Sequence, residues 1–175
     1  MHSWMRLFWF TVLVFGVLAN GLAQTPARDG GPIPSQVLTA RKVFISNAGA
    51  DALADAAFRR LGDPNRPYSR FYSEMKNWGK YELVSAPGDA ELVFEIHFGS
   101  PISGCDQLTN YAPNFELSIL DTRTHFTLWK ITAPVDGAIR KATFEKNLDQ
   151  GMSRLMTELK GLTGQTAAAM AEATH

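Results

Sequence analysis

The sequence predicts an α/β domain of the α+β kind, a two-layer sandwich with a mixed sheet of about five strands and helices packed mainly on one face. Residues 91–98 alternate apolar and polar side chains, as a strand with one buried face does. Residues 114–133 contain two strand-like runs around a short reversal, which indicates a hairpin. From about Ala142 to Leu162, apolar residues recur at helical spacing and predict a helix that covers the sheet.

The first 23 residues have the pattern of an export signal. Arg6 supplies early positive charge, Leu7 to Leu18 are almost wholly apolar, and Gly21-Leu22-Ala23 provides small residues for cleavage. The apolar run is shorter than the roughly 20 residues that a membrane-spanning helix needs. We therefore expect residues 1–23 to be a cleaved signal peptide, with no stable membrane insertion afterwards and a periplasmic or secreted product.

Composition narrows the function classes. Seventeen basic residues balance seventeen acidic ones, so no electrostatic argument favours a nucleic-acid partner. The roughly 150 residues behind the signal suit a single domain. Cys105 is the single cysteine, so no disulfide can form within the chain, although one between two chains can. Stability must come from apolar burial, which the 45% hydrophobic composition permits.

The first elements follow from turn and cap residues. Residues 24–39 are rich in proline and glycine and predict a flexible leader. The β-branched run Arg41–Ser46 predicts a first strand, and Asn47-Ala48-Gly49 a turn. Asp51 is a suitable N-cap for a helix that continues through Leu61.

A second helix and two strands come next. Ser69 is a suitable N-cap, and the C-cap at Gly79 closes a helix that carries apolar residues at helical spacing. Tyr81–Val84 predicts a short strand, and Pro87-Gly88-Asp89 a reversal. In the strand Glu91–Phe98, one face is predicted to be core and the other to face water. The core face carries Leu92, Phe94, Ile96 and Phe98, and the other carries Glu91, Val93, Glu95 and His97.

The hairpin is predicted over Asn114–Leu120 and Phe126–Ala133. His125 lies in the reversal, where the backbone often needs a positive φ. Pro134 ends the pairing because it has no amide hydrogen.

The last helix carries an apolar stripe that stabilises the domain, at about 1.5 to 3 kcal/mol for each fully buried large side chain. Residues 163–175 are alanine-rich and are expected to fray. These boundaries give a single domain over residues 40–162. The stripe consists of Phe144, Leu148, Met152, Leu155, Met156, Leu159 and Leu162.

The titratable residues form no recognisable catalytic motif. Glu91, Glu95 and His97 share one face of a strand, but a zinc site needs further ligands at defined spacing. A thiol hydrolase or small-ligand site can be drawn from His97, Cys105 and Asp106, yet the chain shows no nucleophile elbow and no glycine-made oxyanion hole. We therefore predict no enzyme, catalytic residue, metal or cofactor, and keep that site as the alternative.

Arginine and tyrosine residues alternate where the second helix begins. Single-strand nucleic-acid platforms mix bases and aromatics in this way, but export and the balanced charge disfavour that use. Arg and Tyr are also frequent anchors of protein interfaces. We therefore expect Arg66, Tyr68, Arg70 and Tyr72 to contact a protein partner.

Several segments resemble a family of small exported bacterial proteins of unknown function, over most of residues 40–162. They are Lys42–Gly49, Trp78–Val84, Asp89–Glu95 and Leu120–Thr124 with Leu128-Trp129. The order of elements is also similar to the amino-terminal domain of TolB and to related envelope domains that act by protein contact. This resemblance implies a fold and assigns no catalytic residue.

Together these features predict an exported, non-enzymatic domain that binds a protein partner or a cell-envelope component. The expected contact surface is an exposed sheet edge or the aromatic loop near Tyr68. The sequence leaves the oligomeric state open.

Overall fold

The computed structural model describes residues 31–52, 63–99, 102–103, 110–111, 113–138 and 140–172. From Pro32 onward, these residues belong to one compact unit. The signal peptide, Cys105, Asp106 and most of the helix predicted to run from Asp51 to Leu61 lie outside the described residues.

Five strands form a mixed sheet with the order β2-β1-β3-β6-β7, and β4 pairs with β5 separately. The strands are β1 (Lys42–Ala50), β2 (Glu82–Leu83), β3 (Leu92–Gly99), β4 (Ile102–Ser103), β5 (Asn110–Tyr111), β6 (Asn114–Asp121) and β7 (Thr127–Pro134). Strand β1 runs parallel to β2 and β3, whereas β6 is antiparallel to both β3 and β7. The predicted fold class is confirmed.

In the described part of the chain, three helices accompany the sheet: α1 (Ser35–Thr39), α2 (Arg66–Trp78) and α3 (Lys141–Glu172). A single 3₁₀ turn, Pro87–Asp89, leads into β3 at the predicted reversal. Both α2 and α3 pack against the sheet and against each other. The helices and one sheet face therefore enclose a common core.

Alternation along the strands decides which sheet face is buried. In β3, the side chains of Leu92, Phe94, Ile96 and Phe98 are buried, while those between them are half-exposed. The same alternation continues in β6. The alternation predicted for β3 and the hairpin is confirmed. The opposite face, called the open face below, carries polar residues of β3, β6 and β7.

The predicted apolar stripe of α3 is confirmed, because all seven of its residues are buried. We expected this helix to end near Leu162, but it continues to Glu172. Alanine has the highest helix propensity of all residues, which explains how an alanine-rich segment without a continuing stripe remains helical.

Helix α2 ends where predicted and begins earlier than predicted. Gly79 is the C-cap, with a φ of 67° in the left-handed region that glycine favours. The helix starts at Arg66 instead of Ser69, and Pro67 lies in its first turn. Proline suits this position because its fixed φ is helical and the first amide hydrogens have no partner within the helix.

The chain is ordered earlier than the sequence suggested. Helix α1 falls within the segment predicted to be a flexible leader, and Val37 is fully buried in the core. Burial of this one apolar side chain helps to offset the entropy of ordering a proline-rich segment.

The turn predicted at Asn47-Ala48-Gly49 is instead an irregularity within β1. The register with β3 shifts between Asn47 and Gly49, and the strand continues to Ala50. Gly49 has a φ of 77°, and its N–H donates to Asn47 Oδ1 at 2.9 Å. These residues form a bulge, which keeps the strand paired while it bends.

Candidate binding surface

The aromatic and basic residues predicted to contact a partner lie on α2. The guanidinium of Arg66 pairs with Glu145, and that of Arg70 pairs with Asp149, both on α3. The two arginines thus join the helices to each other. The rings of Tyr68 and Tyr72 lie 6.1 Å apart, and Tyr72 is 39% exposed. Partner contact by these four residues stays a prediction.

His97 is half-buried on the open face of β3, where the register places it opposite Glu116. Glu116 Oε2 lies 2.6 Å from Lys130 Nζ of β7, so this carboxylate already has a cationic partner. Cys105 and Asp106 lie outside the described residues. The alternative site built on His97 and these two residues stays a prediction.

Glu91 and His97 do not form a cluster, because six residues of extended strand separate them by roughly 20 Å. The Glu91 carboxylate accepts hydrogen bonds from the backbone N–H groups of Arg41 and Lys42, the latter at 3.0 Å. These bonds lower the pKa of Glu91. Within the described ranges, no group of three or more His, Cys, Asp or Glu side chains has an arrangement that suits a metal ion.

A cleft of about 400 Å³ opens at the end of the sheet, beside α1 and the turn between β6 and β7. Two of its polar side chains form hydrogen bonds within the fold. Asp121 accepts bonds from the Arg123 N–H at 3.0 Å and the Thr124 hydroxyl at 3.1 Å, and its pKa is lowered chiefly by the first of these. Thr122 donates to the backbone carbonyls of Ala90 and Glu91. The Asp121 and Thr122 side chains of this cleft are thus engaged within the fold.

Strand β7 forms an edge of the sheet and is eight residues long, whereas β2 at the other edge has two. The Val135 N–H donates to the Pro113 carbonyl at 2.8 Å, and the same register continues along the ladder. Backbone groups of an antiparallel strand point alternately to either side. The N–H and C=O groups of Ile131 and Ala133 therefore form hydrogen bonds with β6. Those of Lys130 and Thr132 point away from the sheet, and no described strand pairs with them.

Further backbone pairing is blocked at both ends of this edge. Pro134 has no N–H, and its carbonyl accepts a bond from Arg154 Nη1 of α3 at 3.1 Å. At the other end, a register shift near Ile119 and Leu120 interrupts the ladder. Proline and bulges commonly protect edge strands. The accessible backbone is thus a short stretch centred on Lys130, which we call the β7 edge (Leu128–Thr132).

Apolar side chains surround one end of the β7 edge. Phe126 is 72% exposed, and Leu128 and Trp129 are half-buried. Large aromatic residues beside accessible backbone are typical of protein contact sites. The sequence anticipated a contact at a sheet edge. It did not identify the edge, although Pro134 after an alternating strand was a signal of edge position.

No family model matches the sequence, and no curated protein has a significant match to it. Solved structures that resemble it include the PelC dodecamer from Paraburkholderia phytofirmans, 14% identical over 76% of this chain and 93% of that chain, with a TM-score of 0.41. Uncharacterized lipoprotein B from Nitrosomonas europaea is 15% identical over 82% and 96%, with a TM-score of 0.39. Rare lipoprotein B from Shewanella oneidensis is 12% identical over 77% and 100%, with a TM-score of 0.35.

Similarities at this level carry no conclusion about the function of this chain. Resemblance to TolB and to a family of small exported bacterial proteins stays a prediction. Among the residues that the structure describes, no helix is long and apolar enough to cross a membrane.

Proposed function

We propose that this protein is an exported, non-enzymatic binding domain that takes an extended segment of a protein partner onto its β7 edge. The observation that carries the proposal is the direction of the Lys130 and Thr132 backbone groups, away from β6. An added strand satisfies such groups with main-chain hydrogen bonds, while the side chains beside it provide selectivity.

The exposed aromatic residue near the edge supports the same function. Burial of apolar area contributes about 25 cal/mol per Å², and Phe126 leaves most of its ring in water. A partner segment that covers this ring would gain the corresponding free energy of burial. Export is supported by the signal pattern of residues 1–23.

Photo-crosslinking tests where a partner binds. A benzoylphenylalanine replaces Phe126 beside the β7 edge in one variant, and Tyr72 of α2 in another, so that both changes exchange one aromatic residue for another. We expect a discrete crosslinked product from position 126 in the bacterium that makes the protein. A product from position 72 alone would move the contact surface to α2, and no product from either position would contradict the proposal.

A backbone block then tests the mode of binding. Thr132→Pro removes one outward N–H, whereas Thr132→Val keeps it and has a similar shape. If the partner adds a strand, the crosslink from position 126 is lost with Thr132→Pro and kept with Thr132→Val. Equal crosslinking in both variants would exclude strand addition.

A further inference from the structure

We infer that Lys80, Lys160 and the Trp78 indole form an anion site that holds the phosphate group of a lipid head group or of a soluble phosphate. Trp78 is the last residue of α2, Lys80 follows the C-cap of that helix, and Lys160 lies on α3. The site uses no residue of the β7 edge, so the inference does not depend on the proposed partner segment. Its basis is the convergence of two ammonium groups on one aromatic ring.

The two lysines meet at the same turn of α3. Lys80 Nζ and Lys160 Nζ each lie 5.7 Å from the centre of the Trp78 ring, so the two nitrogens are no farther apart than twice this distance. Lys80 Nζ also donates to the Thr163 carbonyl at 3.2 Å, and Thr163 lies one turn of α3 after Lys160. An aromatic ring attracts a cation, whereas two cations at one ring repel each other. An anion bound to both ammonium groups would replace this repulsion with attraction.

Charge pairing along the contact between α2 and α3 stops at this position. Arg66 pairs with Glu145 of α3, and one turn further along both helices Arg70 pairs with Asp149. Beside Trp78, at the end of α2, the side chain that α3 supplies is a lysine instead of an acid. Within the described ranges, neither of the two lysines forms an ion pair with a carboxylate. Their positive charges are therefore free to bind an external anion.

Packing holds the aromatic part of the site in place. The half-buried Trp78 ring contacts the buried Tyr81 ring edge-on at 5.5 Å, and Tyr81 in turn contacts Phe94 of the core at 5.3 Å. A site that is already ordered loses little conformational entropy when a ligand binds. Burial lowers the pKa of Lys80, and a bound anion would oppose this shift because it stabilises the charged ammonium.

The chemistry of the site suits a phosphate group. Lysine binds phosphate as a point charge, and a phosphate has enough oxygens to accept hydrogen bonds from two ammonium groups at once. Tryptophan is enriched where apolar and aqueous surroundings meet, as at the head groups of a membrane. An anionic phospholipid and a soluble phosphate offer the same group, and the experiments below distinguish them.

The first experiment measures co-sedimentation of the exported protein with vesicles of phosphatidylglycerol and phosphatidylcholine, and with vesicles of phosphatidylcholine alone. We expect binding to the anionic vesicles. Lys80→Gln and Lys160→Gln should each weaken this binding about fivefold, since one lysine near the surface is lost. Lys76→Gln, which removes an exposed lysine from the last turn of α2, is the matched control and should change binding less than twofold.

The second experiment titrates the same variants with inorganic phosphate in a calorimeter, at an ionic strength kept constant with sodium chloride. Phosphate binding that needs both lysines, without any binding to vesicles, would support the site and assign it to soluble phosphates. Vesicle binding that needs both lysines assigns it to lipid head groups. Circular dichroism checks that the variants are folded, and Lys80→Arg and Lys160→Arg, which keep the charge, should bind at least as tightly as the glutamine variants of the same positions by fivefold.

Two outcomes would overturn the inference. One is that neither anionic vesicles nor inorganic phosphate bind the wild type. The other is that Lys76→Gln weakens binding as much as the two site variants, because general attraction to a positive surface would then explain the result. Either outcome would leave the proposed function in place, since that function is tested by crosslinking from position 126.

Discussion

Gly151 of α3 lies directly against Val135, which follows β7. A Cβ on Gly151 would come within 2.5 Å of Val135 Cγ2 and 3.2 Å of the Phe115 ring. By helix propensity alone, a glycine inside a helix costs about 1 kcal/mol relative to alanine. In the structure, the absence of a side chain at Gly151 allows the helix to approach the sheet closely.

We expect Gly151→Ala to lower the free energy of unfolding by about 1 to 3 kcal/mol, since the added methyl overpacks the core. Gly164 of the same helix is the matched control. A Cβ there meets no atom within 4 Å, so Gly164→Ala should raise stability by about 0.5 to 1 kcal/mol through helix propensity. Urea unfolding of both variants measures the difference. Equal effects of the two substitutions would contradict the close approach at Gly151.

His125 has a φ of 60°, which confirms the positive φ predicted at this turn position. Because glycine adopts this conformation without strain, His125→Gly should leave stability unchanged or raise it by up to about 1 kcal/mol. His125→Val should lower it by about 1 to 2 kcal/mol, since a β-branched residue is strained there. Thermal unfolding of the variants in the same buffer compares their stability. A melting temperature several degrees lower for the glycine variant would remove the turn interpretation.

Proline substitutions along β7 test the direction of its backbone groups. Thr132→Pro should lower the stability of the monomer by less than about 1 kcal/mol, because the lost N–H points away from β6. Ile131→Pro removes a ladder bond and should cost about 3 kcal/mol or more beyond Ile131→Val, which keeps the N–H. Chemical unfolding at low protein concentration provides the values. A reversed order of the two proline variants would show that the hydrogen-bond phase is wrong.

The Asp121 carboxylate makes the stability of the fold depend on pH in the acidic range. Its pKa is lowered in the folded state, so its stabilising contribution is complete above the ordinary value of 3.8 and is lost as pH falls through the lower folded value. Asp121→Asn should therefore flatten the decrease in melting temperature on acidification. Asp89→Asn, at an exposed position, is the control and should keep the wild-type slope. If both variants retain that slope, the Asp121 carboxylate has no special role.

Periodicity made most of the sheet and the last helix predictable. Leu92, Phe94 and Ile96 occupy every second position of β3, and burial in the structure follows that alternation. The stripe of α3 repeats every three to four residues and needs no distant information. Local signals of this kind also placed the Gly79 cap and the positive φ of His125.

Contacts between distant segments were not predictable. Arg70 and Asp149 are 79 residues apart, and nothing in either segment identifies the other as its partner. The arginines of α2 were therefore assigned to an external partner, although both pair within the chain. Strand order is equally non-local, so the sequence indicated a sheet edge without identifying β7. Val37 was overlooked because a single apolar residue gives no periodic pattern.

Helix α3 is the last described element along the chain, and it covers the core side of β6 and β7. A polypeptide that leaves the cytoplasm amino terminus first would deliver β1, β3 and the hairpin before this cover arrives. Throughout that interval the ring of Phe115, against which Gly151 of α3 packs, would be exposed to solvent and accessible to chaperones. If the chain is exported as proposed, its folding would be complete only after α3 has been translocated, and truncations within α3 should yield aggregates instead of shortened but native molecules.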